Sequence, residues 1–185
     1  VAKTKGISFV NAQAFCGEVG GSDGWSRVLA GMDHADQEVL QSLLAVGWYD
    51  LWLYARMIRA IDSTLGNGDF ELIKKLGRFE AERDISTVYR LFFRLANPGY
   101  AIGKTMAYWR RFHDTGVWNV ERVSDEAVHG TLSDWGVVDV ALCLELTGYM
   151  PRVIELVGGK NAVMVHPRCR SKGADTCVFE LSWQK

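Results

Sequence analysis

Apolar residues recur at helical spacing through the first two thirds of this 185-residue chain and change to strand-like spacing near its end. A segment around Ile7 to Phe15 leads into Gly-Glu-Val-Gly-Gly-Ser-Asp-Gly, read as a flexible connection in which Ser22 or Asp23 caps a helix starting near Trp25. Asp33 caps the next helix, whose apolar positions are Val39, Leu40, Leu43 and Leu44. After Asp50, the positions Leu51, Leu53, Tyr54, Met57, Ile58, Ile61 and Leu65 predict an amphipathic helix that stops at Gly66-Asn67-Gly68. A longer helical region runs from Asp69 to about Ala96, with Gly77 and Asp84 as candidate breaks. Asn97-Pro98-Gly99 ends it, because a residue before proline is pushed out of the α region. A further helix covers Tyr100 to His113 and closes at Asp114-Thr115-Gly116.

Val117 to Val123 and Ala127 to Leu132 are short, β-branched and aromatic, and Ser124-Asp125-Glu126 forms the turn between them. Val137 to Val157 is helical, with Pro151 a candidate kink and Gly158-Gly159 the stop. Ala162 to His166 and Val178 to Trp183 are the last strands. Helices followed by β-β-α-β-β predict an α+β fold, with helices packed on an antiparallel sheet. The whole chain, 1–185, reads as one domain, mainly helical over 1–116 and sheet-bearing over 117–185.

Composition narrows the classes of function. A net charge of −1 gives no general electrostatic reason to bind nucleic acid, and no stretch has the apolar length of a membrane span. The first ten residues lack the apolar core of a secretory leader. With four cysteines, this favours a reduced, cytoplasmic setting. No Ser/His/Asp set, paired-carboxylate motif or dinucleotide fingerprint stands out, so no catalytic residue is assigned. Glu80, Glu82, Arg83 and Asp84 read as surface pairs on a helix, and Lys104, Arg110 and Arg111 as a solvated basic face.

Cys143, His166, Cys169 and Cys177 are the candidate metal ligands. The two last strands bring His166, Cys169 and Cys177 to one end of the sheet, and the intervening helix returns Cys143 over that end. Three thiolates and an imidazole suit a closed, tetrahedral structural zinc. The competing readings are unlinked buried thiols and a Cys169–Cys177 disulfide. Cys16, remote in sequence, reads as a core thiol.

Cys-Arg-Ser-Lys-Gly-Ala-Asp-Thr-Cys followed by Val-Phe-Glu-Leu-Ser-Trp resembles the carboxy-terminal signature of vinyl-4-reductase-type small-molecule-binding domains. The stretch from Ser124 to Cys143, then Leu-Thr-Gly-Tyr and Val-His-Pro-Arg-Cys, is similar to sensor domains of phenol- and toluene-responsive transcriptional activators. By that motif Cys143, Cys169 and Cys177 correspond to zinc ligands, and His166 stands where those domains carry a carboxylate. The helical half, including Trp48 to Asp62 and Leu76 to Tyr100, resembles an uncharacterised paralogous family abundant in myxobacteria. These resemblances imply the fold shared by nitric-oxide sensors and TRAPP transport-complex subunits, often dimeric, with an apolar pocket. The Tyr-Ser-Arg motif that holds heme propionates in the nitric-oxide sensors is missing, and none of four histidines is singled out as an axial ligand.

The aromatic residues Tyr89, Phe92, Phe93, Tyr108, Trp109, Phe112, Trp118 and Trp135 are candidates to line that pocket, with plain core packing as the alternative. His113 would orient a ligand hydroxyl or sit at a helix carboxy terminus, where the dipole favours it. The function these features predict is a non-enzymatic sensory domain for a small hydrophobic or aromatic ligand, read out by dimerisation or a partner signalling protein. A TRAPP-like scaffold is the alternative, and an accessory to tetrapyrrole vinyl reduction ranks behind both.

Overall fold

The structure, a computed structural model, describes residues 1–87 and 97–185. Strand β1 (Lys3–Lys5) pairs antiparallel with β2 (Trp48–Asp50), and helices α1 (Gly6–Gly20), α2 (Gly24–Ala30) and α3 (His34–Gln41) lie between them in sequence. Strands of three residues are too short to reveal alternation, so the hydrophobic pattern gave no sign of this ribbon. The glycine-rich connection is shorter than the sequence suggested, because α1 continues through Gly17 to Gly20. Leu43 and Leu44 fall beyond the end of α3 at Gln41, and the Leu44 N–H donates to the Tyr49 hydroxyl at 2.8 Å.

Helix α4 (Leu51–Leu65) begins where expected, with the Asp50 carboxylate accepting from the Trp52 N–H at 2.9 Å. Its apolar stripe, including Leu51, Met57, Ile58 and Ile61, is fully buried. Helix α5 (Glu71–Thr87) passes Gly77 and Asp84 unbroken. The rest of the helical region expected to about Ala96 lies outside the described residues, and Asn97 starts a helix. Its side chain accepts from the Tyr100 N–H at 2.9 Å, and Pro98 takes the first turn, where a missing N–H costs nothing. The single helix expected over Tyr100 to His113 is therefore two, α6 (Pro98–Gly103) and α7 (Thr105–Phe112).

The carboxy-terminal order is β3 (Val117–Ser124), β4 (Ala127–Ser133), α8 (Val140–Leu156), β5 (Lys160–Arg168) and β6 (Cys177–Gln184). The four strands form one antiparallel sheet in the order β3-β4-β6-β5, which bears out the α+β expectation. Phe179, Leu181 and Trp183 of β6 alternate onto its buried face with Val128 and Leu132 of β4. Asp139 caps α8 through the Ala141 N–H at 2.8 Å. The same carboxylate takes a forked Arg59 at 2.8–3.1 Å, which ties α4 to the start of α8.

Helices α5 and α8 cross with their backbones in contact. A Cβ at Gly148 would stand 1.9 Å from the Lys74 carbonyl oxygen, and one at Gly77 2.2 Å from that of Glu145. Both glycines are there because no side chain fits between the two helices. Gly148→Ala should therefore cost at least about 3 kcal/mol in urea unfolding, since the obstructing atoms are backbone and cannot rotate away. Gly17→Ala, in helix α1 with nothing within 4 Å of the new Cβ, should stabilise by roughly 0.5–1 kcal/mol.

Candidate functional site

The sheet end carries the Cys/His cluster. Between Val165 and Arg168, β5 has one residue more than the facing stretch of β6 from Glu180 to Val178. The bulge contains Pro167, which an edge strand tolerates, and it re-aims the His166 side chain. The ring is stacked on Phe179 at 4.2 Å, and its Nδ1 lies 2.8 Å from the Val178 carbonyl oxygen. A carbonyl only accepts, so Nδ1 carries a proton and Nε2 is the nitrogen left to face the cluster. Burial lowers the ring's pKa, but the Cys177 and Cys169 sulfurs beside it raise it to about 9. Among the described residues that buried Nε2 has no hydrogen-bond partner.

Around it stand three buried thiols. Cys143 Sγ is 3.6 Å from Cys177 Sγ and 4.0 Å from Cys169 Sγ, and the four donor atoms lie within 4.8 Å of one another. A tetrahedral zinc with bonds of about 2.3 Å to sulfur separates its sulfurs by roughly 3.8 Å, so the spacing already matches a metal site. All four cysteines of the chain are free, which sets aside the Cys169–Cys177 disulfide. Cys16 is a buried core thiol, as read from the sequence, and burial pushes it up to about 12.

The connecting loop supplies donors to the sulfurs. The Arg170 N–H points at Cys177 Sγ at 3.4 Å, Ser171 Oγ lies 2.9 Å from Cys169 Sγ, and Gly173 (φ 89°) makes the left-handed turn that folds the loop back. The hydrogen bond from Cys143 draws Cys177 down to about 4, against the effect of burial, while Cys143 itself is pushed up. The hollow beside the cluster is about 10 Å³, too small for a substrate. The arrangement suits a closed structural site.

A second feature lies between α4, α5, α7 and α8, a cavity of about 110 Å³. Tyr108, Trp109 and Phe112 of α7 and the following His113 are among the residues that line it. Tyr89, Phe92 and Phe93 lie outside the described residues. Trp118 and Trp135 pack against Trp109, with ring centroids 5.8 and 5.1 Å away, and are not among the residues lining this cavity. Trp118 borders a smaller hollow of about 50 Å³, and Trp135 borders the Cys/His cluster. His113 is a wall residue, stacked on Trp109 at 4.1 Å. Burial lowers its pKa to about 3, so it is neutral, and among the described residues its Nδ1 has no hydrogen-bond partner.

The opposite wall is polar, which the sequence reading missed. Glu80 of α5 and Glu145 of α8 are 5% and 8% exposed, and Glu80 is thus no surface residue. It falls on the same helical stripe as Ile73, Gly77 and Asp84, and that stripe faces α8. Glu82, two residues from both Glu80 and Asp84 and so on the other side of the helix, does form a surface pair, with Arg152 at 2.8 Å. Tyr54 Oη lies 2.9 Å from Glu80 Oε1 and also contacts Glu145 Oε1. Asp84 accepts from Asn11 Nδ2 at 2.9 Å and from the Tyr149 hydroxyl at 3.0 Å. Arg83 completes the chain by donating to Asn11 Oδ1 at 2.9 Å. Burial raises Glu145 and Asp84 to about 6 each and raises Glu80 strongly. The one signal available in the sequence was a set of carboxylates at apolar-stripe spacing.

No protein-family model matches the sequence, and no curated protein matches it. The vinyl-4-reductase, phenol-sensor and myxobacterial resemblances therefore gain no support from comparison. The fold, in contrast, has clear relatives among solved structures. An H-NOX protein from S. oneidensis in the Fe(II)NO ligation state superposes with a TM-score of 0.75 at 15% identity, over 98% of this chain and 99% of that one. The Fe(II) unliganded H-NOX protein from K. algicida gives 0.72 at 10% identity, over 98% and 97%. An oxygen-binding H-NOX domain related to soluble guanylate cyclases gives 0.69 at 10%, over 98% and 95%. This chain has the nitric-oxide-sensor fold.

The carboxyl groups make a testable demand on pH. Asp84 holds its proton to a higher pH in the folded chain than in the unfolded one, so its contribution to stability falls as pH rises between about 4 and 6. Asp84→Asn keeps the shape without the titration. Relative to wild type it should gain on the order of 2 kcal/mol between about pH 4 and about pH 7 in urea unfolding.

Proposed function

We propose that this chain is a non-enzymatic, small-molecule-binding sensory domain, with a single-ring ligand held between α5, α7 and α8 and a structural zinc fastening β5 and β6 to α8. The observation that carries the reading is the cavity. At about 110 Å³ it is of the order of the roughly 150 Å³ apolar cavity known to accept benzene, and it is walled by aromatic rings on one side and polar groups on the other. A packed core without such a hollow would have favoured the scaffold alternative.

The H-NOX neighbours include proteins described with Fe(II) and with nitric oxide or oxygen bound, so a heme in this fold has to be considered. The residues present do not fit one. The cavity is well below the roughly 300–1,000 Å³ of ordinary cofactor and drug sites, and a porphyrin is larger than a single ring. Its described wall offers carboxyl groups and no Lys or Arg to pair with propionates. His113, the only histidine lining it among the described residues, lies against Trp109 and Trp135, at 4.1 and 5.4 Å.

For zinc the donor set does fit: three thiols at tetrahedral spacing and a bare, buried imidazole nitrogen aimed at them. Bound there, zinc would supply folding free energy and no chemistry. Ligand occupancy would bias the packing of α7 on α8, and a second copy or a signalling partner would read it. That requires different ligand affinity in two packing states. Among the described residues, no helix is long and apolar enough to cross a membrane.

Two measurements test the reading. Elemental analysis of protein purified without chelators should find one zinc per chain, and Cys143→Ser should lose it with a Tm fall of about 6–12 °C, near 3 kcal/mol. Thermal unfolding against single-ring aromatics of differing charge, fatty acids and tetrapyrroles should show stabilisation by the first group alone. Ala101→Phe, which fills the cavity, should abolish that shift. Indifference to every compound would refute the pocket.

A further inference from the structure

The cavity wall is unbalanced in charge and in hydrogen-bonding capacity. Three carboxyl groups, Glu80, Asp84 and Glu145, come from two helices to one side of it, and no Lys or Arg lines it among the described residues. Asp84 feels the charge of Arg83, which reaches it through Asn11. Burying carboxylates without a counter-cation is expensive, so the two glutamates either keep a proton or await a positive partner. The contacts of Tyr54 show which of the two holds for the glutamates. Its hydroxyl has one hydrogen to donate yet sits in hydrogen-bond contact with both Glu80 and Glu145. At least one of the two contacts must be made by a protonated carboxyl donating to the phenol oxygen. The acidic wall therefore holds a proton in the place of a cation.

The facing wall is built from the other half of a cation site. Trp109, Tyr108 and Phe112 line the same hollow, and aromatic rings attract positive charge: Arg111 already lies over the Tyr108 ring, 5.8 Å from its centroid. His113, held neutral by burial, adds a buried nitrogen without a hydrogen-bond partner among the described residues. A ligand with donors only, such as an ammonium group, meets acceptors on the carboxyl side and ring faces on the other. A neutral phenol would leave the charge imbalance as it was. A carboxylate ligand would worsen it.

We propose that the ligand class of this cavity is a small organic cation, a protonated amine carried on a single aromatic ring or an alkyl group of similar volume. This rests on the reading of the cavity as a ligand site and adds the chemistry of its occupant. On binding, the ammonium takes the place of the shared proton. That proton leaves to solvent, and the two glutamates become a carboxylate pair facing the cation.

The test is calorimetric titration at neutral pH with three probes of matched shape: benzylammonium, benzyl alcohol and benzoate. The expected result is that benzylammonium binds at least about tenfold more tightly than benzyl alcohol, with proton release, and that benzoate binds most weakly. Glu145→Gln and Glu80→Gln preserve volume and mimic the protonated state, so both should fold, and each should remove most of the preference for benzylammonium over benzyl alcohol. Equal or tighter binding of benzyl alcohol by the wild type overturns the cation proposal and leaves the cavity a neutral-ligand site. Failure of all three probes overturns it together with the ligand-site reading.

Discussion

The direct backbone contact of α5 with α8 at Gly77 and Gly148 sets the geometry on which the rest of the molecule depends. Because no side chain separates the helices, Glu80 on one and Glu145 on the other reach a single tyrosine, Tyr54 of α4. A wider crossing would let water between the carboxyl groups, and their raised affinity for protons, which comes first from burial, would disappear. The same approach places Asp84 one helical turn further along, within reach of Tyr149 of α8 and Asn11 of α1. One steric fact thus produces both a tight core and an acidic wall.

The two candidate sites are joined through packed rings. Trp109, in the cavity wall, touches Trp135 and Trp118. Trp135 borders the Cys/His cluster and its carbonyl oxygen accepts from Arg170 in the cysteine-bearing loop at 2.6 Å. Trp118 leads through Phe179, at 5.2 Å, to the His166 ring. Helix α8 spans both sites, with Cys143 turned toward the cluster and Glu145 toward the cavity two residues later. Contiguity of this kind makes the cluster a fixed support against which α7 and its aromatic residues are positioned. It is a packing relation, and coupling between the sites requires in addition two alternative arrangements of the rings.

Much of the cluster was legible because its chemistry is scarce. Cysteine and histidine are few in this chain, and strand order alone predicted that His166, Cys169 and Cys177 would meet at one end of a hairpin. The bulge at Pro167, which turns His166 inward, was hidden in a residue that simply read as part of a loop. The aromatic side of the cavity was legible for Tyr108, Trp109 and Phe112 because one short helix presents all three. Trp118 and Trp135 share their composition and approach the same Trp109 ring from other elements, so only the packing could assign them elsewhere. The carboxyl wall was misread for a physical reason: an isolated Glu on a helix is nearly always solvated, and its burial depends on a glycine one turn away and on a partner far along the chain.

By itself the sequence determined the class of fold, most helix starts and the β-β-α-β-β succession of the last third, because periodicity, caps and turn residues act over a few positions and carry their own signal. It determined the donor set of the cluster as well, since ligand chemistry belongs to residue type. Tertiary structure alone decided that α5 runs straight through Gly77 and meets α8 at Gly148, and that Glu80 is interior while Glu82 is not. Those outcomes follow from the fit of two helix surfaces more than fifty residues apart in sequence, where van der Waals exclusion, acting between segments, chooses which face of each helix loses its water.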